Sequence, residues 1–232
     1  EGAAFDLPMA LAYLLSAQEI SFNTAGSAFL GELALDGTLR PIRGALPAAI
    51  AARKLGYTQL VVPKENASEA ALVEGLNVFG VSSLKETVAH ATGKKKLAPV
   101  KRDVSPAMRE HSVDFADIKG QETAKRGLEI AAAGRHNVAF MGPPGTGKTM
   151  LSSALSGILP PLSFDDAVEV TAIHSIAGIL KQPLVTHAPV RAPHHTSSYV
   201  ALVGGGNALR AGEVTLAHNG VLFLAEFPVF DR

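Results

Sequence analysis

Apolar residues in the first ninety positions recur with two different periods, one helical and one strand-like. The helical period predicts helices at Leu7 to Ala17, at Leu46 to Leu55, after the run QLVVP, and from Ser83 onward. The strand-like runs are Ala28 to Leu35, QLVVP and NVFGV. Asp36-Gly37 predicts a hairpin turn from the first strand into Thr38 to Ile42. Helices and strands that alternate in this way indicate the α/β class.

The apolar period stops near residue 93, where lysine, arginine, proline and glycine accumulate. Residues 93–113 are therefore predicted to be a linker between a first domain, 1–92, and a second, 114–232. Its basic residues could form a DNA-phosphate patch, although a flexible, solvated linker is the simpler interpretation. The residues concerned are Lys94, Lys95, Lys96, Lys101 and Arg102.

The second domain places a glycine turn between two regular elements. A helical pattern covers GQETAKRGLEIAAAGR, the segment NVAFM predicts a strand, and MLSSALSGIL has helical spacing again. The turn itself, residues 142–149, reads GPPGTGKT and matches G-x-x-x-x-G-K-[ST]. Strand, glycine turn and helix in this order are typical of a phosphate-binding loop.

Each residue type in this turn serves the binding of a phosphorylated nucleotide. Glycines let backbone N–H groups point inward at phosphate, and the N-terminus of the next helix adds its positive dipole end. Lys148 is expected to reach the terminal phosphates of ATP, and the Thr149 hydroxyl to ligate the Mg²⁺ that accompanies the nucleotide. The predicted binding residues are Gly142, Pro143, Pro144, Gly145, Thr146, Gly147, Lys148, Thr149 and Met150.

Hydrolysis of the nucleotide requires a second, acidic strand, for which Val221 to Glu226 is the candidate. Four apolar residues, Val221 to Leu224, precede Ala225 and Glu226. Glu226 is predicted to polarise the attacking water, with Lys148 as its catalytic partner. Ala225 stands where a carboxylate of the magnesium shell is expected. The sequence therefore predicts ATP binding and leaves hydrolysis open.

Composition excludes several classes of protein. The chain has no cysteine, which rules out disulfides and thiolate metal sites and fits a cytoplasmic location. No apolar run is long enough for a membrane span. The formal net charge of +0 gives no overall electrostatic field that would indicate binding to nucleic acid or to an anionic membrane. The start at Glu1 and the end at Arg232 lead us to expect a piece of a longer protein.

His194, His195 and His218 suggest a metal site only weakly, because no acid accompanies them at ligand spacing. Arg191 and Arg210 are interpreted as surface charges, with DNA or a neighbour's phosphate as the alternative.

The motifs of the second domain resemble those of the magnesium-chelatase-like AAA+ ATPases of bacteria, in particular the YifB/ComM group. They are GQETAKRGLEIAAAGRHNVAFMGPPGTGKTML, TAIHSIAG, VRAPHHTSS, LVGGG and GEVTLAHNGVLFLAEF. The resemblance implies an AAA+ P-loop core that stops after the acidic strand, and it places Gln121 beside the adenine base.

The first domain is similar to the Lon-protease-type domain, of ribosomal S5 domain 2-like fold, that precedes the ATPase in this group. FLGELALDGTLRPIRGALPAAIAARKLGY and LVVPKENASEAALVEGLNVFGVSSLKE carry the similarity. A Lon-type peptidase needs a serine and a lysine. Gly2-Ala3-Ala4 and Gly44-Ala45-Leu46 occupy the corresponding places. No protease activity is therefore expected, and the domain is taken to lack its own N-terminal part.

The family resemblance implies a homo-oligomeric ring, a hexamer, that uses ATP and Mg²⁺ to remodel DNA. The expected task is branch migration during recombination and natural transformation. Two alternatives stay open: an ATPase subunit of a metal chelatase, and a nucleotide-binding scaffold that Ala225 has deprived of turnover.

Overall fold

The computed structural model describes residues 2–105, 113–206 and 209–225. These residues form two compact units. The first contains the chain up to residue 105 together with Thr171–Leu184, and the second contains the described residues of 113–170 and 185–225. Each unit has its own apolar core.

The first unit combines helices with a small parallel sheet, which confirms the predicted α/β class. Its elements up to residue 91 are a short 3₁₀ helix at Ala3–Phe5, α1 Asp6–Ser16, β1 Ser27–Phe29, β2 Glu32–Leu33, β3 Leu39–Arg40, α2 Ala45–Lys54, β4 Gln59–Pro63, α3 Lys64–Ala70, β5 Asn77–Val81 and α4 Leu84–Ala91. The predicted start of the last helix at Ser83 is confirmed, because the Ser83 hydroxyl caps it by accepting a hydrogen bond from Glu86 N (3.2 Å).

Strand β4 lies in the middle of a three-stranded parallel sheet of order β1-β4-β5. Leu60 pairs with Ala28 on one side and with Val78 on the other. Side chains of β4 alternate between two buried clusters, so Leu60 and Val62 pack with α2 and α3, whereas Val61 packs with α1. Burial on both faces explains why QLVVP is a continuous apolar run.

The predicted strand Ala28 to Leu35 is wrong as one element, because the chain changes sheets at Gly31. Leu30 N still donates to Val61 O (3.0 Å), but the Gly31 carbonyl accepts from Leu7 N (3.0 Å) in α1. A side chain at Gly31 would be crowded by Leu39 and Leu7. The next residues form β2, which pairs antiparallel with β3 in a separate hairpin. Contacts with distant parts of the chain decided this break.

The hairpin turn at Asp36-Gly37 is confirmed. Gly37 has φ +82°, a conformation that costs glycine little, and Asp36 Oδ1 accepts hydrogen bonds from Thr38 N (2.9 Å) and Thr38 Oγ1 (2.6 Å). Thr38 also lowers the pKa of Asp36 through these bonds. The turn therefore holds the register of β2 and β3, in which Leu33 faces Leu39.

From residue 115 onward the elements are mostly helical. A short 3₁₀ helix at Phe115–Asp117 is followed by α5 Glu122–Gly134, α6 Lys148–Ile158, α7 Phe164–Ala177, β6 Val190–Arg191, α8 Tyr199–Val203, β7 Gly204–Gly205, β8 Arg210–Ala211, α9 Glu213–Leu216 and β9 Val221–Leu222. Strands β6 and β9 pair in parallel, and β7 and β8 pair antiparallel.

The predicted strand NVAFM, residues 137–141, is wrong: these residues have no regular structure. A strand exists only where a neighbour supplies backbone hydrogen bonds, and no described strand runs beside this segment. Val138 and Met141 are exposed, and a cleft of about 480 Å³ separates the segment from α5. The four apolar residues Val138 to Met141 could not reveal from sequence whether a neighbouring strand lies beside them.

Candidate functional site

Helix α6 is the element that positions the predicted phosphate-binding turn. One side of α6 packs into the core of the second unit, where Leu151 and Ala154 contact Leu128 of α5 and Ile118. All four side chains are at most 6% exposed. This cluster fixes the axis of α6 and leaves its first turn at the surface.

The turn from Gly142 to Gly147 reverses the chain directly before α6. Gly145 and Gly147 have φ values of +79° and +83°, in the left-handed region that side chains other than glycine disfavour. Apart from the two adjacent residues of the chain, no described heavy atom lies within 4 Å of the position that a Cβ would take at either residue. Backbone conformation, and not lack of space, therefore requires glycine here.

Gly147 also serves as the N-cap of α6, and no side chain in the described part of the chain caps the helix there. The first N–H groups of a helix have no partner within it, and they carry the positive end of its dipole. Helix α6 has 11 residues, enough for a full dipole. Its uncapped start is thus a place where an anion can bind.

The Lys148 side chain folds back onto the turn and is hydrogen-bonded to its backbone. Its Nζ donates hydrogen bonds to Gly142 O (2.9 Å) and Pro143 O (2.7 Å), and Thr146 Oγ1 donates to Pro143 O (3.0 Å). An ammonium group has three N–H donors, so one remains for a ligand. The lysine holds the turn in shape and brings a full positive charge to the helix start.

The other predicted binding residues surround this turn. Pro144, Thr149 and Met150 are exposed, and the Thr149 hydroxyl stands in the first turn of α6. Gln121 is the N-cap of α5, and its side-chain Nε2 lies 3.4 Å from Thr146 O. The structure thus brings Gln121 next to the turn, although it lies more than twenty residues away in sequence.

These groups fit a polyphosphate and its metal ion. Backbone N–H groups, an ammonium group and a hydroxyl at a helix start are donors and ligands suited to phosphate oxygens and Mg²⁺. The exposed turn leaves room for a ligand to approach. Lys148 and the N–H groups would hold the phosphates, and Thr149 would hold the metal.

The second predicted element, the acidic strand, is shorter than expected. Strand β9 comprises Val221 and Leu222 rather than four residues, and its neighbour is β6, with Leu222 opposite Arg191. Phe223 N extends the pairing by donating to Arg191 O (2.8 Å). Ala225 ends the described chain and offers no ligand atom in its side chain. Glu226, the predicted catalytic base, lies outside the described residues.

A polar network holds the turn that enters β9. Asn219 Nδ2 donates to Asp166 Oδ1 (3.2 Å) and lies 3.4 Å from Glu169 Oε2, and His218 Nε2 lies 3.1 Å from the same Glu169 oxygen. Arg135, at the end of α5, pairs with Asp166 (3.4 Å). The network ties β9 to α7 and α5. Sequence reasoning missed Asp166 and Glu169, whose only signal is a three-residue spacing on one helix.

A bidentate ion pair joins β6 to α9. Arg191 donates from Nε to Glu213 Oε2 and from its terminal nitrogen to Glu213 Oε1 (2.7 Å). The two side chains are only 35% and 23% exposed, and the bond from Arg191 lowers the pKa of Glu213 below its ordinary value of 4.5. Arg191 therefore has a structural partner in the folded chain. Glu213 was not recognised from sequence.

The remaining predicted groups are dispersed. His194 and His195 stack on each other with ring centroids 4.2 Å apart, whereas His218 pairs with Glu169. Residues 2–105, 113–206 and 209–225 contain no cluster of three or more histidines and acids that could hold a metal ion.

In the basic linker, Lys95 pairs with Glu86 and Arg102 with Glu74, which reduces the charge available to a DNA phosphate. None of the described helices has the length and apolar character needed to cross a membrane.

Comparison with known proteins finds a matching family model for each of two parts of the chain. Residues 114–232 match the family model described as magnesium chelatase, subunit ChlI, and residues 1–66 match a second model, subunit ChlI of Mg-chelatase. The competence protein ComM of Haemophilus influenzae is 42% identical over 241 residues, which cover 100% of this chain and 47% of that protein. YifB of Escherichia coli, an uncharacterised protein, is 43% identical over 235 residues, covering 100% of this chain and 46% of YifB. An uncharacterised protein of Mycobacterium tuberculosis is 46% identical over 231 residues, covering 97% of the chain and 45% of that relative.

The fold defines a mixed α/β protein with a parallel sheet and a glycine turn before a helix. The chain belongs to the magnesium-chelatase-like family that includes ComM and YifB. This confirms the resemblance found in the sequence motifs. The chain spans about half the length of the curated relatives it matches.

The Arg191–Glu213 pair makes a testable contribution to stability. Because the pKa of Glu213 is lowered by folding, the pair stabilises the fold above pH 4.5 and loses its effect as the pH falls through the folded-state pKa. Glu213→Gln should lower the free energy of unfolding by about 1 kcal/mol near neutral pH. Urea denaturation of both proteins between about pH 7 and about pH 3 should show this difference shrinking toward zero.

The matched control is Glu19→Gln, an exposed glutamate of the first unit. It should behave like the unmodified chain at each pH. A difference between the unmodified chain and Glu213→Gln that stays constant with pH would contradict the role of the ion pair.

Proposed function

We propose that this chain binds Mg²⁺·ATP at residues 142–149 and belongs to an AAA+ ATPase. The observation that carries the proposal is the uncapped start of α6 behind two left-handed glycines, with Lys148 Nζ held at the centre of the turn. A neutral ligand would gain little from this concentration of donors, whereas a polyphosphate would use all of them.

Magnesium, when bound with the nucleotide, neutralises phosphate charge and polarises the bond that is broken. Lys148 binds and orients the phosphates, and Thr149 offers the hydroxyl ligand. Glu226 is proposed as the base that orients water. Ala225 provides no carboxylate for the magnesium shell. The chain is therefore expected to bind ATP and to hydrolyse it slowly.

The biological task proposed for the whole protein is ATP-driven remodelling of DNA by a ring-shaped oligomer in the cytoplasm. Support comes from the name of one relative, competence protein ComM, since competence is the uptake of DNA. The alternative, an ATPase subunit of a metal chelatase, is supported by the descriptions of the two family models. ATP-dependent unwinding of forked DNA by the full-length protein would separate the two, because a chelatase subunit has no use for a DNA fork.

The other alternative is a scaffold that binds the nucleotide without hydrolysing it, and the alanine at position 225 favours this alternative. This candidate keeps the nucleotide site and loses only turnover. Binding and hydrolysis therefore have to be measured separately.

Lys148→Ala tests nucleotide binding. Loss of a charge-assisted contact to phosphate should weaken binding of a fluorescent ATP analogue in the presence of Mg²⁺ by about tenfold to a hundredfold. Lys85→Ala removes an exposed lysine of the first unit and should leave the affinity unchanged. Equal affinities for the unmodified chain and Lys148→Ala would refute the proposed site.

Ala225→Asp tests the missing carboxylate. Restoring a ligand to the magnesium shell should raise phosphate release by about tenfold or more, at similar ATP affinity. Ala225→Asn, which has the same shape without the charge, should give little gain. If ATP binds and Ala225→Asp releases no more phosphate than the unmodified chain, Ala225 is not what limits turnover.

A further inference from the structure

The first unit contains a cleft of about 480 Å³ that the nucleotide site does not use. Its walls are the Pro41–Arg43 segment before α2, the residues of α3 from Glu65 to Glu69, and the segment from Ser175 to Pro183. A volume of this size lies within the range of small-ligand sites in proteins. Polar side chains inside the cleft decide which ligand it can take.

Asn66 forms the fixed part of this cleft. The side chain is 6% exposed, and all its hydrogen-bonding groups are engaged. Its Oδ1 accepts from Ile42 N (2.8 Å), and its Nδ2 donates to Ile42 O (2.8 Å) and to Glu69 Oε1 (2.7 Å). Asn66 thereby fixes both the Ile42 backbone and one oxygen of the neighbouring carboxylate.

Glu69 supplies an unsatisfied group. It lines the cleft, is 6% exposed, and its Oε2 has no hydrogen-bond partner among the residues that the structure describes. A buried carboxylate oxygen without a donor is strongly destabilising, and native proteins almost always provide one. No described protein group donates to Glu69 Oε2, so this oxygen can accept a hydrogen bond from an N–H donor of a ligand.

The cations already in the cleft do not fill this role. Arg43 and Lys181 line it, but neither forms an ion pair with Glu69 in the described part of the chain. The Arg43 guanidinium lies against Gly178, where a Cβ would stand 2.6 Å from its Nε. Both basic side chains are exposed, so they lie where a ligand could enter.

We propose that this cleft binds an alkylguanidinium group, as in arginine, with the cation on Glu69 and the polar remainder of the ligand toward Arg43 and Lys181. A guanidinium presents several N–H donors in one plane and suits a carboxylate whose second oxygen is free. A metal ion fits less well, because Glu65 and Glu69 are the only acids among the lining residues. Free arginine and an arginine side chain in a polypeptide share this chemistry.

Titration calorimetry of the whole chain with L-arginine, the peptide Gly-Arg-Gly and L-citrulline tests the proposal. Citrulline has nearly the same shape without the charge and should bind about tenfold more weakly than arginine, or not at all. Tighter binding of the peptide would identify a polypeptide as the source of the group, and tighter binding of arginine a free metabolite. No binding of either, or equal binding of citrulline, overturns the proposal.

Glu69→Gln locates the site, with Glu65→Gln as the matched control on the same helix. Glu69→Gln keeps an oxygen for Asn66 and should weaken arginine binding about tenfold, whereas the exposed Glu65 should matter by about twofold at most. Arginine should raise the melting temperature of the unmodified chain and not that of Glu69→Gln. Undiminished binding to Glu69→Gln overturns the proposal. Should that variant fail to fold, the comparison of arginine with citrulline still decides.

Discussion

The start of helix α6 is the constraint on which the proposed activity depends. A helix must leave its first N–H groups without partners, and Gly147 gives them no side-chain cap. Packing of Leu151 and Ala154 into the core prevents the helix from turning these groups away from the surface. Lys148 then adds a formal charge at the same point. In the proposed site, selectivity for an anion would follow from this backbone geometry together with the charge of Lys148.

The proposed site has two halves, which differ in the contacts that hold each of them in place. Residues 142–149 are held by hydrogen bonds within the turn and by the core behind α6. Strand β9, which leads to Ala225, pairs with β6 over two residues and is supported by Asn219 and by the Arg191–Glu213 pair. Binding of phosphate depends on the first half alone. The proposed hydrolysis would need both, and Ala225 offers a methyl group where a carboxylate of the magnesium shell was expected.

Local patterns predicted the elements whose causes are local. The hairpin at Asp36-Gly37 and the helix start at Ser83 were correct because a turn or a cap is determined by a few neighbouring residues. The doubly buried strand β4 was correct because burial on both faces leaves a continuous apolar run. In the same way, the spacing of the glycines predicted a turn before a helix, whereas their role in nucleotide binding stays a prediction.

Features that depend on distant residues could not be predicted in this way. The run NVAFM has the composition of a strand, but no described neighbour pairs with it. The chain leaves the main sheet at Gly31 because Leu7 and Leu39 lie against that glycine. Likewise, neither the partner of Arg191 nor the free oxygen of Glu69 has a signature in the sequence. Each depends on which side chains the fold brings together.

The central claim is that the turn recognises a polyphosphate, and competition binding tests it most directly. A fluorescent ATP analogue bound to the unmodified chain with Mg²⁺ should be displaced by ATP, by ADP and by inorganic triphosphate, and far less by AMP or adenosine. Displacement by inorganic triphosphate would show that Lys148 and the helix start recognise the phosphates themselves. Equal displacement by AMP and ATP, or no saturable binding at all, would contradict the account.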